Sequence, residues 1–155
     1  MIDRDRAYLR RWLGWVDAST SVEHTRDFLR GVIAAAQEGK SLILLTEHEG
    51  EPCGTVGFNW IDSVNGGCEI GYWLREDRQG RGIITGCCRA LVGHALDDLG
   101  LNCVRIAVAV DNARSRRVPE RLGFRLDGVI REAERLHGSF VDHALYTYLR
   151  RDRGA

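Results

Sequence analysis

Apolar residues recur along this chain at two spacings, which predict its helices and strands. A first helix is predicted near the start by apolar residues at the i, i+3, i+4, i+7 spacing: Leu9, Trp12, Leu13 and Val16. A second helix is predicted to begin at the capping box Thr20-Ser21-Val22-Glu23 and to end at Gly39. Its apolar face would consist of Leu29, Val32, Ile33 and Ala36.

Alternating and β-branched runs predict strands at 42–47, 54–62 and 68–74. Turn residues at Glu49-Gly50 and Asn65-Gly66-Gly67 join them, so this part of the sheet is predicted to be an antiparallel meander. A helical pattern from Ile83 to Leu96 then leads to a buried strand at 103–110, a crossover long enough for a parallel pair. A short helix and two final strands follow, about 125–136 and 140–149, which meet at His137-Gly138.

Composition limits the possible functions. The 155 residues indicate one domain, 1–155, that buries a sizeable core. The formal net charge is +0, which offers no general attraction for nucleic acid or an anionic membrane. No apolar run approaches the ~20 residues of a membrane span. We therefore expect a cytoplasmic protein without nucleic-acid or membrane partners.

The five cysteines form no Cys-x-x-Cys pair, and most stand at positions predicted to be buried. We expect core thiols in a reducing compartment. His137 and His143 flank the last hairpin, but no cysteine or acidic cluster completes a metal-ligand pattern near them. A metal site is not expected.

The segment with the clearest candidate chemistry is Arg78-Gln79-Gly80-Arg81-Gly82-Ile83, between a predicted strand and a predicted helix. A glycine-bearing loop that opens a helix gathers unpaired backbone N–H groups at the positive end of the helix dipole, where phosphate binds. Gly80 and Gly82 would let the backbone approach a ligand closely, and Arg78 and Arg81 add positive charge. Such a loop alone can equally be a simple turn.

Several motifs occur in an order that resembles the GNAT superfamily of N-acetyltransferases. After the glycine loop come a strand, Asp111-Asn112-Ala113-Arg114-Ser115, a short helix and Glu120-Arg121-Leu122-Gly123-Phe124. With residues 9–17, 127–131 and 137–143, the chain looks like the RimJ/RimL branch, which acetylates N-terminal amines of proteins, including ribosomal ones. The resemblance covers nearly the whole chain.

This resemblance implies an α/β (α+β) GNAT fold. The sheet would be mixed and mostly antiparallel, splayed at its central parallel strands, with helices on both faces. Relatives of this branch begin with an extra strand before the first helix, and this chain starts almost at that helix. We therefore expect an exposed sheet edge with apolar surface, in a monomer or a weak homodimer.

The resemblance also implies acetyl-CoA as the co-substrate. The pantetheine arm would pair with the splayed strand, and the pyrophosphate would lie on the glycine loop. Asn112, which otherwise reads as a helix N-cap, and Ser115 would contact the cofactor. The implied cofactor-binding residues are Ile70, Gly71, Tyr72, Trp73, Leu74, Gln79, Gly80, Arg81, Gly82, Ile83, Ile84, Asn112 and Ser115.

Acyl transfer to an amine needs a base for the amine and an acid for the leaving thiolate. Many GNAT enzymes use a tyrosine acid just before the Glu of the Glu-x-Leu-Gly-Phe run, where this chain has Pro119, so Ser115 is the candidate acid. The family register favours Glu134 as base. Alternation places Glu132 on the same strand face, so periodicity alone does not separate the two. Glu69 is a weaker alternative.

Four further residues are candidates for contacts with the acceptor. Asp142 is a candidate for orienting the substrate. Trp12, Trp15 and Tyr72 fit either the acceptor groove or the core.

The sequence thus predicts acetyl-CoA-dependent, direct acetyl transfer to a primary amine, with a protein N-terminal α-amine, ribosomal for example, as acceptor. The alternatives are a small-molecule amine as acceptor, or a domain that binds CoA without catalysis.

Overall fold

The computed structural model describes residues 1–154, and a six-stranded mixed sheet organises them. The strands are β1 (Leu42–His48), β2 (Glu51–Asp62), β3 (Gly67–Leu74), β4 (Cys103–Ala109), β5 (Arg125–Leu136) and β6 (Ser139–Leu149). Their order across the sheet is β1-β2-β3-β4-β6-β5, with β3 and β4 parallel and the other neighbours antiparallel. The predicted meander, crossover and final hairpin are confirmed.

In this described part of the chain, four α-helices accompany the sheet: α1 (Arg6–Leu9), α2 (Val22–Gln37), α3 (Ile83–Gly93) and α4 (Ala113–Arg121). α3 continues as a π-helical turn, His94–Asp98. α2 ends before Gly39, whose φ of +68° is the left-handed backbone that favours glycine at a helix end. Its N-cap is Ser21, which accepts a hydrogen bond from the His24 N–H at 3.2 Å, and not Thr20 as the predicted capping box requires.

The prediction of one amphipathic helix from Leu9 to Val16 is wrong. α1 ends at Leu9, Leu13 is extended, and Gly14–Asp17 forms a separate 3₁₀ turn. The Arg6 guanidinium donates to the carbonyl oxygens of Val16 at 2.5 Å and Ser19 at 2.6 Å, which holds the segment folded back on α1. Leu9 and Val16 are nevertheless buried, so the apolar spacing identifies inward-facing residues without a continuous helix.

The core lies between the sheet and α3, its π-helical turn and α4. Its largest fully buried side chains include Phe58, Ile70, Leu96, Ile106 and Tyr146. Core thiols are confirmed for three cysteines, since Cys53, Cys68 and Cys88 are buried, whereas Cys87 and Cys103 are half-buried. Burial raises the pKa of Cys68 and of Cys88 to about 12, so both are neutral thiols at physiological pH.

The far edge of the sheet exposes apolar surface, as the sequence predicts. β1 pairs only with β2 among the described residues, and Leu44 and Leu45 are exposed. The predicted burial of the apolar face of α2 is wrong for Leu29 and Ile33, which are also exposed, while Val32 and Ala36 are half-buried. Within residues 1–154, no helix is long and apolar enough to cross a membrane.

The close packing of β1 against β2 leaves no room for a side chain at Gly57. A Cβ there would lie 1.8 Å from the Leu42 carbonyl oxygen and 2.8 Å from the Ile43 Cα, both backbone atoms that cannot give way alone. We predict that Gly57→Ala lowers the free energy of unfolding by at least about 2 kcal/mol, as backbone-displacing overpacking does. Gly31→Ala is the matched control, because a Cβ at this position in α2 meets nothing within 4 Å.

We expect the control to raise stability by about 0.5–1 kcal/mol, since alanine is the better helix former. Urea unfolding of both variants measures the difference. Equal stabilities for the two variants would show that β1 and β2 do not pack as described.

Candidate active site

The central parallel strands separate soon after they begin to pair. β3 pairs with β4 only over Gly67–Glu69, opposite Cys103–Arg105. Residues 70–74 continue the ladder with β2 on the other side, up to the pair of Gly54 with Leu74. The β4-facing backbone groups of this half of β3 are therefore available at the gap, and the predicted splay is confirmed.

A bulge in β2 accompanies this separation. The register of β2 against β3 shifts between Phe58 and Trp60, and the Asn59 amide donates a 3.1 Å hydrogen bond to Glu69 Oε1. A Cβ at Gly71 would lie 2.3 Å from Asn59 Oδ1, so a larger residue there would displace the Asn59 side chain from this position. Bulges bend and twist the strand that carries them, which fits the departure of β3 from β4 just beyond Glu69.

A cavity of about 300 Å³ lies at the gap. The predicted cofactor residues that line it are Tyr72, Trp73, Leu74, Gln79, Gly80, Arg81, Gly82, Ile83, Ile84, Asn112 and Ser115. Two predicted residues do not line it, because the Ile70 side chain lies in the core and Gly71 faces Asn59. The lining residues that were not predicted as cofactor ligands are Tyr8, Leu9, Trp12, Leu13, Thr85, Arg114, Arg117, Val118 and Arg121.

The glycine loop has the geometry of an anion site. Gly80 and Gly82 have φ values of +74° and +77°, and a Cβ on either would meet nothing within 4 Å. Gly82 is the N-cap of α3, and no side chain accepts a hydrogen bond from the first turn. The first N–H groups of α3 therefore face the cavity without a capping side chain, at the positive end of the helix dipole.

Three arginines of α4 extend this positive surface. Arg114, Arg117 and Arg121 line the cavity, and Arg114 donates a hydrogen bond to Gln79 Oε1 of the glycine loop. Their i, i+3, i+7 spacing places them on one face of the helix, so a helical reading of arginine positions could have found them in the sequence.

Arg75 anchors the chain segment that precedes the glycine loop. Its guanidinium forms a bidentate ion pair with Asp77, through Nε at 3.1 Å and Nη2 at 2.7 Å, although Arg75 itself is buried. Its backbone N–H donates to the Cys53 carbonyl oxygen at 2.7 Å. Partial burial opposes ionisation of Asp77, but the Arg75 hydrogen bond and the positive charges of Arg4, Arg75 and Arg78 outweigh it, so the pKa of Asp77 is lowered.

The start of α4 brings a second strand–helix contact to the cavity. Asn112 is the N-cap of α4 and accepts a 3.2 Å hydrogen bond from the Ser115 N–H, while it also lines the cavity. The Ser115 hydroxyl donates to Tyr72 Oη at 3.1 Å, and the Tyr72 hydroxyl donates to the Ser115 carbonyl oxygen at 3.0 Å. Burial raises the pKa of Tyr72, so its hydroxyl stays protonated at neutral pH.

Glu134 lies on β5 and does not line the cavity. It lies beside the 3₁₀ turn Gly14–Asp17, which follows the cavity residue Leu13 in the chain. Its Oε2 is 3.2 Å from His143 Nε2 on β6. A Cβ at Gly14 would lie 3.5 Å from Glu134 Oε1, and Gly14 directly follows the cavity residue Leu13. Trp15 packs against the gap strand, with its ring 6.1 Å from that of Trp73.

A large bulge in β5 separates the candidate carboxylates, which periodicity alone leaves equivalent. Ile130 pairs with His143 and Glu134 with Val141, so three residues of β5 oppose one residue of β6. Within this bulge Glu132 has a φ of +51°, and its N–H donates to Asp142 Oδ1 at 2.8 Å. Glu132 is exposed and Glu134 half-buried, and Asp142 holds the bulge.

The described residues contain no group of three or more His, Cys, Asp or Glu side chains arranged to hold a metal ion. The groups that the gap brings together are backbone N–H donors, arginines and hydroxyls, which suit a phosphate-bearing ligand with an extended arm.

Comparisons with known proteins agree with this geometry. The family model described as "Acetyltransferase (GNAT) domain" matches residues 2–125. The "Ribosomal-protein-serine acetyltransferase" of Escherichia coli (strain K12) is 35% identical over 146 residues, which cover 94% of this chain and 82% of that protein. "Putative ribosomal N-acetyltransferase YdaF" of Bacillus subtilis (strain 168) is 41% identical over 105 residues, 68% of this chain; the matched part spans 57% of the length of that relative.

A solved structure is similar over almost the whole chain. It is RimL, the "Ribosomal L7/L12 alpha-N-protein acetyltransferase", in complex with coenzyme A. The TM-score is 0.91 at 33% sequence identity, and the match covers 96% of this chain and 84% of the other.

We predict that Arg75→Met lowers the free energy of unfolding by about 2 kcal/mol, because it removes several hydrogen bonds of a buried charged group. Arg81→Met, an exposed arginine of the same loop, is the control and should change stability by less than about 0.5 kcal/mol. Chemical unfolding at neutral pH measures both.

The pH dependence adds a second readout. Because the pKa of Asp77 is lowered in the folded state, its pairing stabilises the fold at neutral pH, and this stabilisation is lost as pH falls through the lowered pKa. Arg75→Met should therefore lose less stability on acidification than the parent. An equal loss in both proteins would contradict the ion pair.

Proposed function

The chain belongs to the GNAT acetyltransferase family, and on this basis we propose that it transfers the acetyl group of acetyl-CoA directly to the N-terminal α-amine of a protein, a ribosomal protein in particular. The observation that carries the proposal is the gap between β3 and β4, which opens beside a glycine loop at the start of α3. The E. coli relative and RimL, whose described acceptors are ribosomal proteins, support the acceptor class.

The gap and the cavity suit acetyl-CoA part by part. The free backbone groups of residues 70–74 would pair with the pantetheine arm, as strands pair with one another. The pyrophosphate would lie on the N–H groups of the first turn of α3, and Arg81, Arg114 and Arg117 supply compensating charge. No metal is needed for these contacts.

The reaction itself then requires two proton transfers. An α-amine is partly protonated at neutral pH and must lose a proton before it attacks the thioester carbonyl. Glu134, held between Gly14 and His143, is the proposed base and would act through a water. Ser115 is the proposed acid, which protonates the sulfur of the departing CoA thiolate and regains a proton from water.

An acceptor screen tests the proposal as a whole. Free CoA thiol is measured with acetyl-CoA and a panel of ribosomal N-terminal peptides, the same peptides with blocked α-amines, and small amines. We expect release with free peptide N-termini and none with blocked ones. Release of CoA thiol with small amines alone would show that the acceptor is a small-molecule amine and not a protein N-terminus. No release with any amine would support a domain that binds CoA without catalysis.

We predict that Gly82→Glu abolishes the binding of CoA measured by calorimetry. The new side chain would enter the open space at the start of α3, and its negative charge would repel phosphate. Thermal unfolding confirms that the variant is folded. A folded variant with unchanged CoA affinity would place the cofactor elsewhere.

We predict that Glu134→Gln lowers kcat by ~10²–10⁴-fold, the usual contribution of a general base, with CoA affinity unchanged. Glu132→Gln is the matched control, since this carboxylate lies in the bulge of the same strand and should leave kcat within about twofold. Ser115→Ala should cost less than Glu134→Gln, because water can also protonate a thiolate. Near-parental turnover in Glu134→Gln, together with a loss in Glu132→Gln or Glu69→Gln, would reassign the base.

Two further expectations stay predictions. A cytoplasmic location fits five cysteines that are all free thiols in the structure. A weak homodimer would be detected by sedimentation at several protein concentrations.

A further inference from the structure

α4 contains a proline in its last turns, and this proline leaves one carbonyl without its helical partner. Pro119 is fully buried and lies inside the helix Ala113–Arg121. In an α-helix the carbonyl of residue i accepts from the N–H of residue i+4, and proline has no N–H. The carbonyl affected by Pro119 is that of Ser115.

Tyr72 takes the place of this missing donor. Its hydroxyl reaches from the gap strand β3 to the Ser115 carbonyl oxygen, 3.0 Å away. The same hydroxyl oxygen accepts the hydrogen bond of Ser115 Oγ at 3.1 Å. One tyrosine hydroxyl thus holds both the backbone and the side chain of Ser115, on the wall of the cavity.

We propose that Tyr72 is the positioning residue for Ser115, holding the serine hydroxyl at the gap between β3 and β4 where the cofactor sulfur would lie. The proposal rests on the proposed role of Ser115 as the acid. It assigns a function to the Tyr72 side chain, whereas the cofactor site uses only the Tyr72 backbone and its place on the cavity wall.

The alternative position of the serine hydroxyl explains why it needs holding. A serine within a helix commonly turns its hydroxyl back to a carbonyl of the preceding turn. Ser115 stands in the first turn of α4, three residues after Asn112. The Tyr72 oxygen offers an acceptor on the β3 side instead, so the hydroxyl faces the gap rather than the helix backbone.

Pro119 makes it possible to separate this role from a purely structural one. Tyr72→Phe removes the hydroxyl and leaves the Ser115 carbonyl without a donor. In the Pro119→Ala background, the new N–H of residue 119 supplies that donor, but no acceptor on β3 replaces Tyr72 Oη, so Ser115 Oγ is free to turn back to the helix backbone. If the proposal is correct, the Pro119→Ala background restores the stability of the Tyr72→Phe variant but not its turnover.

In the parent, we expect Tyr72→Phe to lower Tm by about 2–4 °C and kcat by roughly 10- to 100-fold, with KM for acetyl-CoA unchanged. In the Pro119→Ala background, the same substitution should change Tm by less than about 1 °C, since the carbonyl then has its partner. The fall in kcat should be as large as in the parent. Recovery of kcat in parallel with Tm would overturn the proposal, as would a Tyr72→Phe variant with parental kcat.

Two controls complete the design. Tyr148→Phe removes a tyrosine hydroxyl from a ring that packs on Phe124, outside the cavity, and should leave kcat unchanged. In the Ser115→Ala background, Tyr72→Phe should cause no further fall in kcat. If Ser115→Ala lowers kcat and Tyr72→Phe does not, only the role of Tyr72 fails; if neither lowers kcat while Glu134→Gln does, the acid assignment fails with it.

Discussion

The separation of β3 from β4 is the feature on which the rest of the site depends. Three residue pairs hold the two strands together, and the next five residues of β3 keep only their β2 partners. An unpaired strand edge in a protein interior is costly unless a ligand or water satisfies it. Here it opens onto a cavity, which is why we propose this unpaired backbone as the surface that binds the cofactor; the first turn of α3 also lines the cavity.

Small local features maintain this separation. Gly71 leaves room for the Asn59 side chain, and Asn59 in turn holds Glu69, the last residue of β3 that pairs with β4. On the other side of the gap, the Tyr72 hydroxyl joins β3 to α4 at the carbonyl that Pro119 leaves free. A proline inside a helix, such as Pro119, normally destabilises the helix. In this fold it creates the acceptor that attaches the helix to the separated strand.

Sequence patterns predicted the order of strands and helices well because period, turn residues and glycine positions act locally. The bounds of β5 and the glycine at the end of α2 agree with the prediction. The first helix was mispredicted, since its break depends on Arg6 reaching carbonyls ten and thirteen residues away. The bulges at Asn59 and Glu132 were equally invisible, because a bulge is a property of two strands and periodicity describes one. For the same reason the sequence could not separate Glu132 from Glu134, nor pair Tyr72 with Ser115.

The two proposed proton-transfer groups lie on different elements, Ser115 on α4 and Glu134 on β5, and the alternation of β3 relates their positions. Tyr72 directs its hydroxyl to Ser115 on α4, and its neighbour Trp73 packs against Trp15, beside Gly14 and Glu134. Successive residues of a strand point to opposite faces, so Tyr72, which contacts the proposed acid, and Trp73, whose partner Trp15 follows the residue beside the proposed base, point to opposite faces of β3. In a continuous sheet these faces are separated by backbone. Where β3 has left β4, a thioester bound in the gap as proposed would be open to an amine from one side and to a proton donor from the other, which is the arrangement that direct transfer requires.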